Sequence, residues 1–428
     1  MPDYFIFTIG CQMNQAESDR LESLLFQKGY SPVDSAEQAD LVLLVSCAVR
    51  QGAEDRITNR LALLRRLKSQ KPSLKVALTG CMVEENLTAM KMRFPIVDYF
   101  FCAGTMPDFL DELPEDILPR VAGVSAYVPI IQGCNNFCSY CIVPYRRGRE
   151  KSRSPEAVIA EVAELVRRGA REVTLLGQNV NAYGKDVPER HDLASLLMAL
   201  NDLDGLYRIR FLTNHPKDVS PRLIKAMASL KKVCPTLNLP AQAGDDEILS
   251  KMRRGYTVAE YRSLVESIRK KVPGISLTTD IIVGFPGETG PQFENTRCLI
   301  EDIRFDAVHL AAYSPRPGTE AAENFADDVS RDEKARRLAE LEAIQTGISA
   351  EINSSIIGSG VEVLVEDEHK GQWRGRERSG KLVFFKNKVP SLSVNDLSLK
   401  GTLVNVKITK TGPWSLQGEP VEISKENR

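Results

Sequence analysis

Residues Ile131–Tyr145 read IQGCNNFCSYCIVPY, which sets Cys134, Cys138 and Cys141 within eight residues, just beyond the apolar run YVPIIQG that begins at Tyr127. Four-iron clusters are usually held by four thiolates, and three from the protein leave one iron open to an outside chelating ligand. A structural zinc ion wants four protein ligands. None of the chain's four histidines lies near this loop to supply the fourth. Thiolate softness permits either metal, but only the cluster explains why the set stops at three.

Working outward from this loop, six apolar runs have the length of barrel strands: YVPIIQG, EVTLLGQ, RIRFLT, PTLNLP, ISLTTDIIVG and DAVHLAAY, with helical patterns between them. Six βα units are fewer than the eight that close a full barrel, so the sequence predicts an open partial (β/α)6 barrel with its function at the carboxyl ends of the strands. The cysteine loop follows the first of those strands. Upstream, YFIFTIG, DLVLLVS and LKVALTG alternate with helical patterns, which predicts a doubly wound α/β domain. Each strand ends in a cysteine: TIGC at Cys11, LVSC at Cys47, LTGC at Cys81. Ligands of open parallel sheets bind beyond the carboxyl ends of strands, where three such cysteines converge. The competing reading is three buried small hydrophobes, the expected role of Cys102, Cys234 and Cys298. Met106–Arg120, MPDFLDELPEDILPR, reads as a connection. After the charged amphipathic helix pattern RDEKARRLAELEAIQTGISAEIN, the runs VEVLVED, KLVFFK and TLVNVKITK predict a small all-β barrel of about five strands. The expected domains span 1–120, 121–355 and 357–425.

With 56 Lys plus Arg against 57 Asp plus Glu among 428 residues, a nucleic-acid partner must be met by local basic patches. RRGREKSR offers Arg146, Arg147 and Arg149, and GQWRGRERSGK offers Arg374, Arg376 and Arg378, with Trp373, Phe384, Phe385 and Trp414 as candidate stacking platforms. A solvated face is the competing explanation of each charge run. No apolar run nears the ~18 residues of a membrane span, and MPDYFIFTIG has no signal-peptide pattern. The expectation is a cytoplasmic protein with no membrane partner. In that reducing setting nine cysteines point to metal binding or catalysis.

The spacing C-x3-C-x2-C, with Tyr140 before the last cysteine, resembles the signature of the radical S-adenosylmethionine (SAM) superfamily. The order of the three domains, together with GCQMN, GCNNFCSYCIVPYRRGREKSR, LLGQNVNAYG, RIRFLTNHPKD, MRRGYT, TTDIIVGFPGET and YSPRPGT, resembles the methylthiotransferase family over essentially the whole chain. The branch most closely matched modifies isopentenylated adenosine at tRNA position 37. The resemblance implies SAM and two 4Fe–4S clusters, held by Cys134, Cys138 and Cys141 and by Cys11, Cys47 and Cys81. It also implies a 5′-deoxyadenosyl radical, the product 2-methylthio-N6-isopentenyladenosine and a TRAM-like carboxyl-terminal barrel. SAM contacts are expected from Tyr140, Val143, Gln178, Asn179, Asn181, Gln242, Arg254, Asp280, Gly284, Gly287 and Glu288. Implied partners are a tRNA anticodon loop and a reductant such as flavodoxin or ferredoxin, with a single chain as the working unit. The chain departs from the family at LPAQAGDD, where Ala243 and Asp245 replace serines, and at VSCAVR, where Ser46 and Ala48 flank Cys47. Rival substrates within the family are threonylcarbamoyladenosine in tRNA and a ribosomal-protein aspartate. From another class, the rival is a zinc-stapled, non-catalytic RNA-binding protein.

Overall fold

The computed structural model describes residues 1–49, 51–84, 86–105, 123–187, 191–386 and 398–424. The connection expected at Met106–Arg120 lies outside the described residues, as does the expected boundary at 120/121.

In the amino-terminal domain, β1 (Asp3–Thr8), β2 (Ser31–Pro32), β3 (Leu41–Ser46), β4 (Lys75–Gly80) and β5 (Tyr99–Phe100) form one parallel sheet in the order β2-β1-β3-β4-β5. All six residues of β3 are buried, which is why LVLLV runs apolar without alternation up to Ser46. Leu41, Leu43 and Val45 pack with Leu21, Leu24 and Leu25 of α1 (Gln12–Gln27). Val42 and Leu44 face the opposite core, which takes in Ile57, Leu61 and Leu64 of α2 (Gln51–Gln70) and Met90 of α3 (Leu87–Arg93). The sheet is thus covered on both faces, and its free edge for chemistry is the row of carboxyl ends after β1, β3 and β4.

The central domain is built on the six predicted strands. β6 (Ser125–Pro129), β9 (Glu172–Leu176) and β10 (Arg208–Phe211) form one parallel sheet, and β11 (Thr236–Asn238), β12 (Ser276–Val283) and β13 (Ala307–Ala312) another. A parallel bridge from Ile209 to Val233 joins the two into an open barrel wall. Its helices are α5 (Pro155–Arg167), α6 (Leu193–Asn201), α7 (Pro221–Ser229), α8 (Asp246–Lys251), α9 (Val258–Lys271) and α10 (Gly290–Ile303). One element has no counterpart in the sequence pattern: a short antiparallel hairpin, β7 (Ile131–Gln132) with β8 (Lys151–Ser152), closes the base of the cysteine loop, with α4 (Val143–Arg147) inside it. Two-residue strands carry too little periodicity to be read from sequence.

After α11 (Glu320–Asn324), α12 (Arg331–Ser354) leads to a closed five-stranded barrel, β14 (Gly360–His369), β15 (Gln372–Glu377), β16 (Leu382–Lys386), β17 (Leu403–Thr411) and β18 (Ser415–Ile423). Trp373 and Phe385 fill its core. Of the aromatic platforms expected there, Trp414, which is 67% exposed, is the one fully open to solvent.

The barrel docks through arginines. Arg208, fully buried on β10, donates to the carbonyls of Arg376 (2.6 Å) and Glu362 (2.8 Å). Arg210 donates to the Glu377 and Arg378 carbonyls and to the Glu172 carboxylate. Arg378 returns to the carbonyls of Lys231 and Val233, and Lys381 pairs with Asp306. Lys231, Val233 and Asp306 all precede strands, so the β-barrel sits at the amino-terminal end of the central strands, away from the cysteine loop.

Candidate active site

Cys11, Cys47 and Cys81 each stand immediately or within three residues after the end of β1, β3 and β4. The loops are drawn together by Asn14, a buried residue of α1's first turn. Its amide donates to the carbonyls of Ile9 (2.8 Å) and Ser46 (2.9 Å), while its Oδ1 accepts from the Cys11 thiol. Gly10 adopts φ +139°, and a Cβ there would lie 2.5 Å from the Asn14 amide nitrogen. This explains GCQMN physically: the glycine makes room for the asparagine that ties two strand ends to one cysteine.

The second triplet sits in the β7–β8 hairpin. Cys134 and Cys138 are buried and Cys141 is half-buried. Gln178, from the loop after β9, accepts the Gly133 N–H at 2.5 Å and so pins the start of the cysteine loop to GQNVN. Arg254 is buried and spends its three nitrogens on the Cys138 sulfur (3.4 Å), the Tyr256 hydroxyl (3.0 Å) and the Pro240 carbonyl (2.9 Å). Tyr140 packs beside Tyr256 and Phe285. Val143 opens α4. Burial pushes the Cys141 thiol up to about 12 and the Cys81 thiol up to about 11, with neighbouring cysteines adding to the effect and arginine opposing it.

The other expected SAM residues line the same strand-end face, with different degrees of freedom. Asn181 is consumed internally: its amide exchanges two hydrogen bonds of 3.0 Å with the His215 backbone. Asn179 donates to Asp218 and leaves its buried Oδ1 without a partner. Gln242 adopts φ +72° where its backbone pairs with β12 at Asp280, and Asp280 accepts from Asn238. Glu288 accepts the Gly284 N–H and an ion pair from Arg337, both at 2.5 Å, and keeps its buried Oε1 open; the Gly287 N–H goes to Asp328. Two residues of the TNHPKD motif carry no role that sequence alone signals. Asn214 and His215 follow β10, both buried, and Asn214 Oδ1 and His215 Nε2 have no partner. His215 Nδ1 accepts the Lys217 N–H at 3.4 Å, which places the ring proton on Nε2. Burial, with Arg254 and two lysines nearby, pulls this imidazole down to about 2, so it stays neutral.

The two triplets meet. Ile142, next to Cys141, packs into the amino-terminal core. Arg146 pairs with Glu84 at 2.9 Å, and Arg147 reaches Cys81, Glu17 and Asn14. Among the six arginines expected to meet RNA, Arg147 needs correction: its side chain is 2% exposed and its donors are taken within the protein. The remaining five do not form one patch. Arg149 is exposed over the Phe137 ring. Arg374 pairs with Asp367, Arg376 with Glu366, and Arg378 serves the docking interface at the far end of the barrel.

Among the described residues, no three His, Cys, Asp or Glu side chains converge where one metal ion would sit. The orphaned Asn179, Asn214, His215 and Glu288 atoms fit a ligand carrying amino-acid and nucleoside hydrogen-bonding groups.

Comparison with known proteins agrees with this architecture. The Radical SAM superfamily model matches residues 128–300, the TRAM domain 355–421, and a family described as uncharacterized, UPF0004, residues 3–102. The central domain is a radical SAM domain, a class that uses a 4Fe–4S cluster and SAM. Proteins named tRNA-2-methylthio-N(6)-dimethylallyladenosine synthase match throughout. One from Dehalococcoides mccartyi is 57% identical over 99% of both chains, one from Roseiflexus 48% over 97% of this chain and 89% of its own, and one from Thermoanaerobacter 44% over 98% and 93%. The chain belongs to the tRNA-2-methylthio-N(6)-dimethylallyladenosine synthase family of radical SAM methylthiotransferases. Among solved structures, the methyltransferase TsrM of Kitasatospora setae shares the fold at 15% identity, with a TM-score of 0.56 over 75% of this chain and 74% of its own.

Proposed function

We propose that this enzyme converts N6-isopentenyladenosine at position 37 of tRNA to its 2-methylthio derivative, with Cys134, Cys138 and Cys141 holding one 4Fe–4S cluster and Cys11, Cys47 and Cys81 a second. The observation that carries the reading is the junction of the two cysteine faces, because Arg147 leaves the loop of one triplet and hydrogen-bonds a sulfur of the other. A chain that inserts sulfur at an unactivated adenine carbon needs radical chemistry and a sulfur source within bonding reach of the same base. Two adjoining strand-end sites meet that need.

When bound, the radical-domain cluster supplies the electron that cleaves SAM. The chain's own residues do the rest. Gln178 fixes the cysteine loop against GQNVN, and the unpaired Asn179 Oδ1 is an acceptor suited to an ammonium group. Neutral His215 offers a buried N–H donor, which an imidazolium could offer only at a high desolvation cost. Phe285, Tyr313 and Ala321 wall the side near Gly284 and keep water from a reactive radical. The base must leave its stack to enter, which costs least in a single-stranded anticodon loop. Arg149 supports backbone contact near the site, and Arg374 and Arg376 with Trp414 support a more distant contact to the same RNA. On this reading the enzyme works in the cytoplasm as a single chain, with a flavodoxin- or ferredoxin-type electron donor. No described helix is long and apolar enough to cross a membrane.

The test is the separation of two half-functions. The Cys11, Cys47, Cys81 to Ala protein, reduced with SAM present, should still release 5′-deoxyadenosine but add no methylthio group to isopentenylated tRNA. Replacing Cys134, Cys138 and Cys141 should abolish both. Equal methylthiolation by the first variant would refute the assignment.

A further inference from the structure

Arg147 stands six residues beyond Cys141 on α4 of the radical domain, yet its guanidinium lies inside the amino-terminal site. Nε donates to the Cys81 sulfur at 3.2 Å, Nη1 to Glu17 Oε1 at 2.5 Å, and Nη2 to Glu17 Oε2 and Asn14 Oδ1, both at 3.2 Å. The fork is used in full. Glu17 grips it from one side as a bidentate carboxylate and so aims Nε at the sulfur, a geometry a lysine ammonium cannot reproduce. Asn14, which also binds the Cys11 thiol and the Ser46 carbonyl, ties the same guanidinium to the other two cysteine loops. The radical triplet has a counterpart, since Arg254 donates to Cys138 at 3.4 Å. Each triplet therefore has one buried guanidinium on one sulfur, but only the amino-terminal triplet borrows its guanidinium from the other domain.

We propose that Arg147 is a positioning residue for the amino-terminal site: it holds the Cys81 sulfur in place and raises the reduction potential of the cluster bound there, thereby making that site dependent on the loop that carries Cys141. The inference rests on the reading that Cys11, Cys47 and Cys81 hold a cluster. Its physics is direct. Reduction adds negative charge to a cluster and its sulfurs, and a hydrogen bond and a cation on a sulfur stabilise the reduced form. Arg147 is 6% exposed, so solvent screens this charge little. Glu17 offsets part of the cation, so the two residues should tune the potential in opposite directions. An arginine serving only as a domain clamp would hold the fold together without moving the potential.

The experiment uses the full chain with Cys134, Cys138 and Cys141 replaced by Ala, anaerobically reconstituted so that only the amino-terminal site is loaded. Iron and sulfide analysis and a redox titration followed by electron paramagnetic resonance are then compared for this background, Arg147→Gln, Arg147→Lys and Glu17→Gln. The expected result is an iron content of about four per chain in the background, a midpoint shifted negative in Arg147→Gln and one shifted positive in Glu17→Gln. Arg147→Lys should keep part of the charge effect but bind iron less well. If Arg147→Gln loses its iron while Glu17→Gln keeps it, the positioning role stands and the Glu17→Gln midpoint decides the tuning role. Unchanged midpoints in iron-loaded Arg147→Gln and Glu17→Gln would overturn the proposal and leave a clamp. A background protein that binds no iron would overturn the second-cluster reading itself, a different result from unchanged midpoints.

Discussion

Ser46 leaves no room for a side chain at position 80. Gly80 adopts φ +93°, and a Cβ there would sit 2.2 Å from the Ser46 carbonyl oxygen. Gly80→Ala must therefore displace the backbone beside Cys81, over and above the ~1–2 kcal/mol of a Cβ in left-handed conformation. Gly169 also has positive φ, +110°, but nothing lies near its missing Cβ, so Gly169→Ala isolates the conformational cost. Gly80→Ala should lower both the melting temperature and the iron bound by a protein lacking the radical triplet, and Gly169→Ala only the former; equal iron in the two would count against a cluster at Cys81. His215 gives a pH signature at the same scale. Its folded pKa, about 2, lies below the unfolded value near 6.5, so protons favour the unfolded chain. The stability held by its neutral form is complete above about pH 6.5 and is lost as pH falls toward 2. Acidification from pH 7 to 5 should therefore lower the melting temperature of the wild type more than that of His215→Gln; identical slopes would mean the imidazole is not held neutral. The cysteines could be read from sequence because their chemistry needs a fixed spacing or a repeated strand end. Arg147 could not, because inside RRGREKSR it looks like any other charge in a solvated run, and burial is a tertiary property.

Among the elements, the long periodic segments were legible and the joints were not. The six central strands and the three amino-terminal strands with their cysteines follow their hydrophobic patterns, whereas the helix Arg331–Ser354, expected to be amphipathic, buries mainly polar residues, among them Lys334, Arg337, Gln345, Ser349 and Asn353. The β7–β8 hairpin and the docking of the small barrel leave no such trace. RIRFLT reads as an ordinary strand, yet its arginines at 208 and 210 point away from the helix-side core, where Ile209 and Phe211 pack, into the barrel interface. Removing Arg208 would take the donor from two part-buried carbonyls, at about 1–3 kcal/mol. Arg208→Ala should speed hydrogen exchange in β14 and β15, while Arg374→Ala, which breaks a half-exposed pair with Asp367, should not. Equal protection in Arg208→Ala and wild type would show that the interface does not depend on this arginine. The splitting of the basic residues gives a second prediction at this scale. Arg149→Gln should reduce the slope of log K against log salt for tRNA binding by ~0.7–0.9, at a stability cost no larger than the ~0.5–1 kcal/mol of its exposed stack on Phe137; an unchanged slope would return Arg149 to the solvated face.

For the molecule as a whole, the arrangement is two strand-end sites facing each other, with the RNA-type barrel fastened to the opposite end of the central strands. Length, charge balance and cysteine count point to several domains and to metal chemistry, but they do not show that the two cysteine sites share a residue. That relation arises from the packing of Ile142, Arg146 and Arg147 against the amino-terminal domain. On the proposed function, both sites act on one adenosine. The most direct measurement is mass spectrometry of tRNA nucleosides from a strain lacking this gene, complemented with the wild type or with either cysteine-triplet variant. N6-isopentenyladenosine should accumulate in the deletion strain, its 2-methylthio derivative should return only with the wild type, and both triplet variants should leave the isopentenylated form untouched. Methylthiolated nucleoside restored by a chain without Cys11, Cys47 and Cys81 would contradict it.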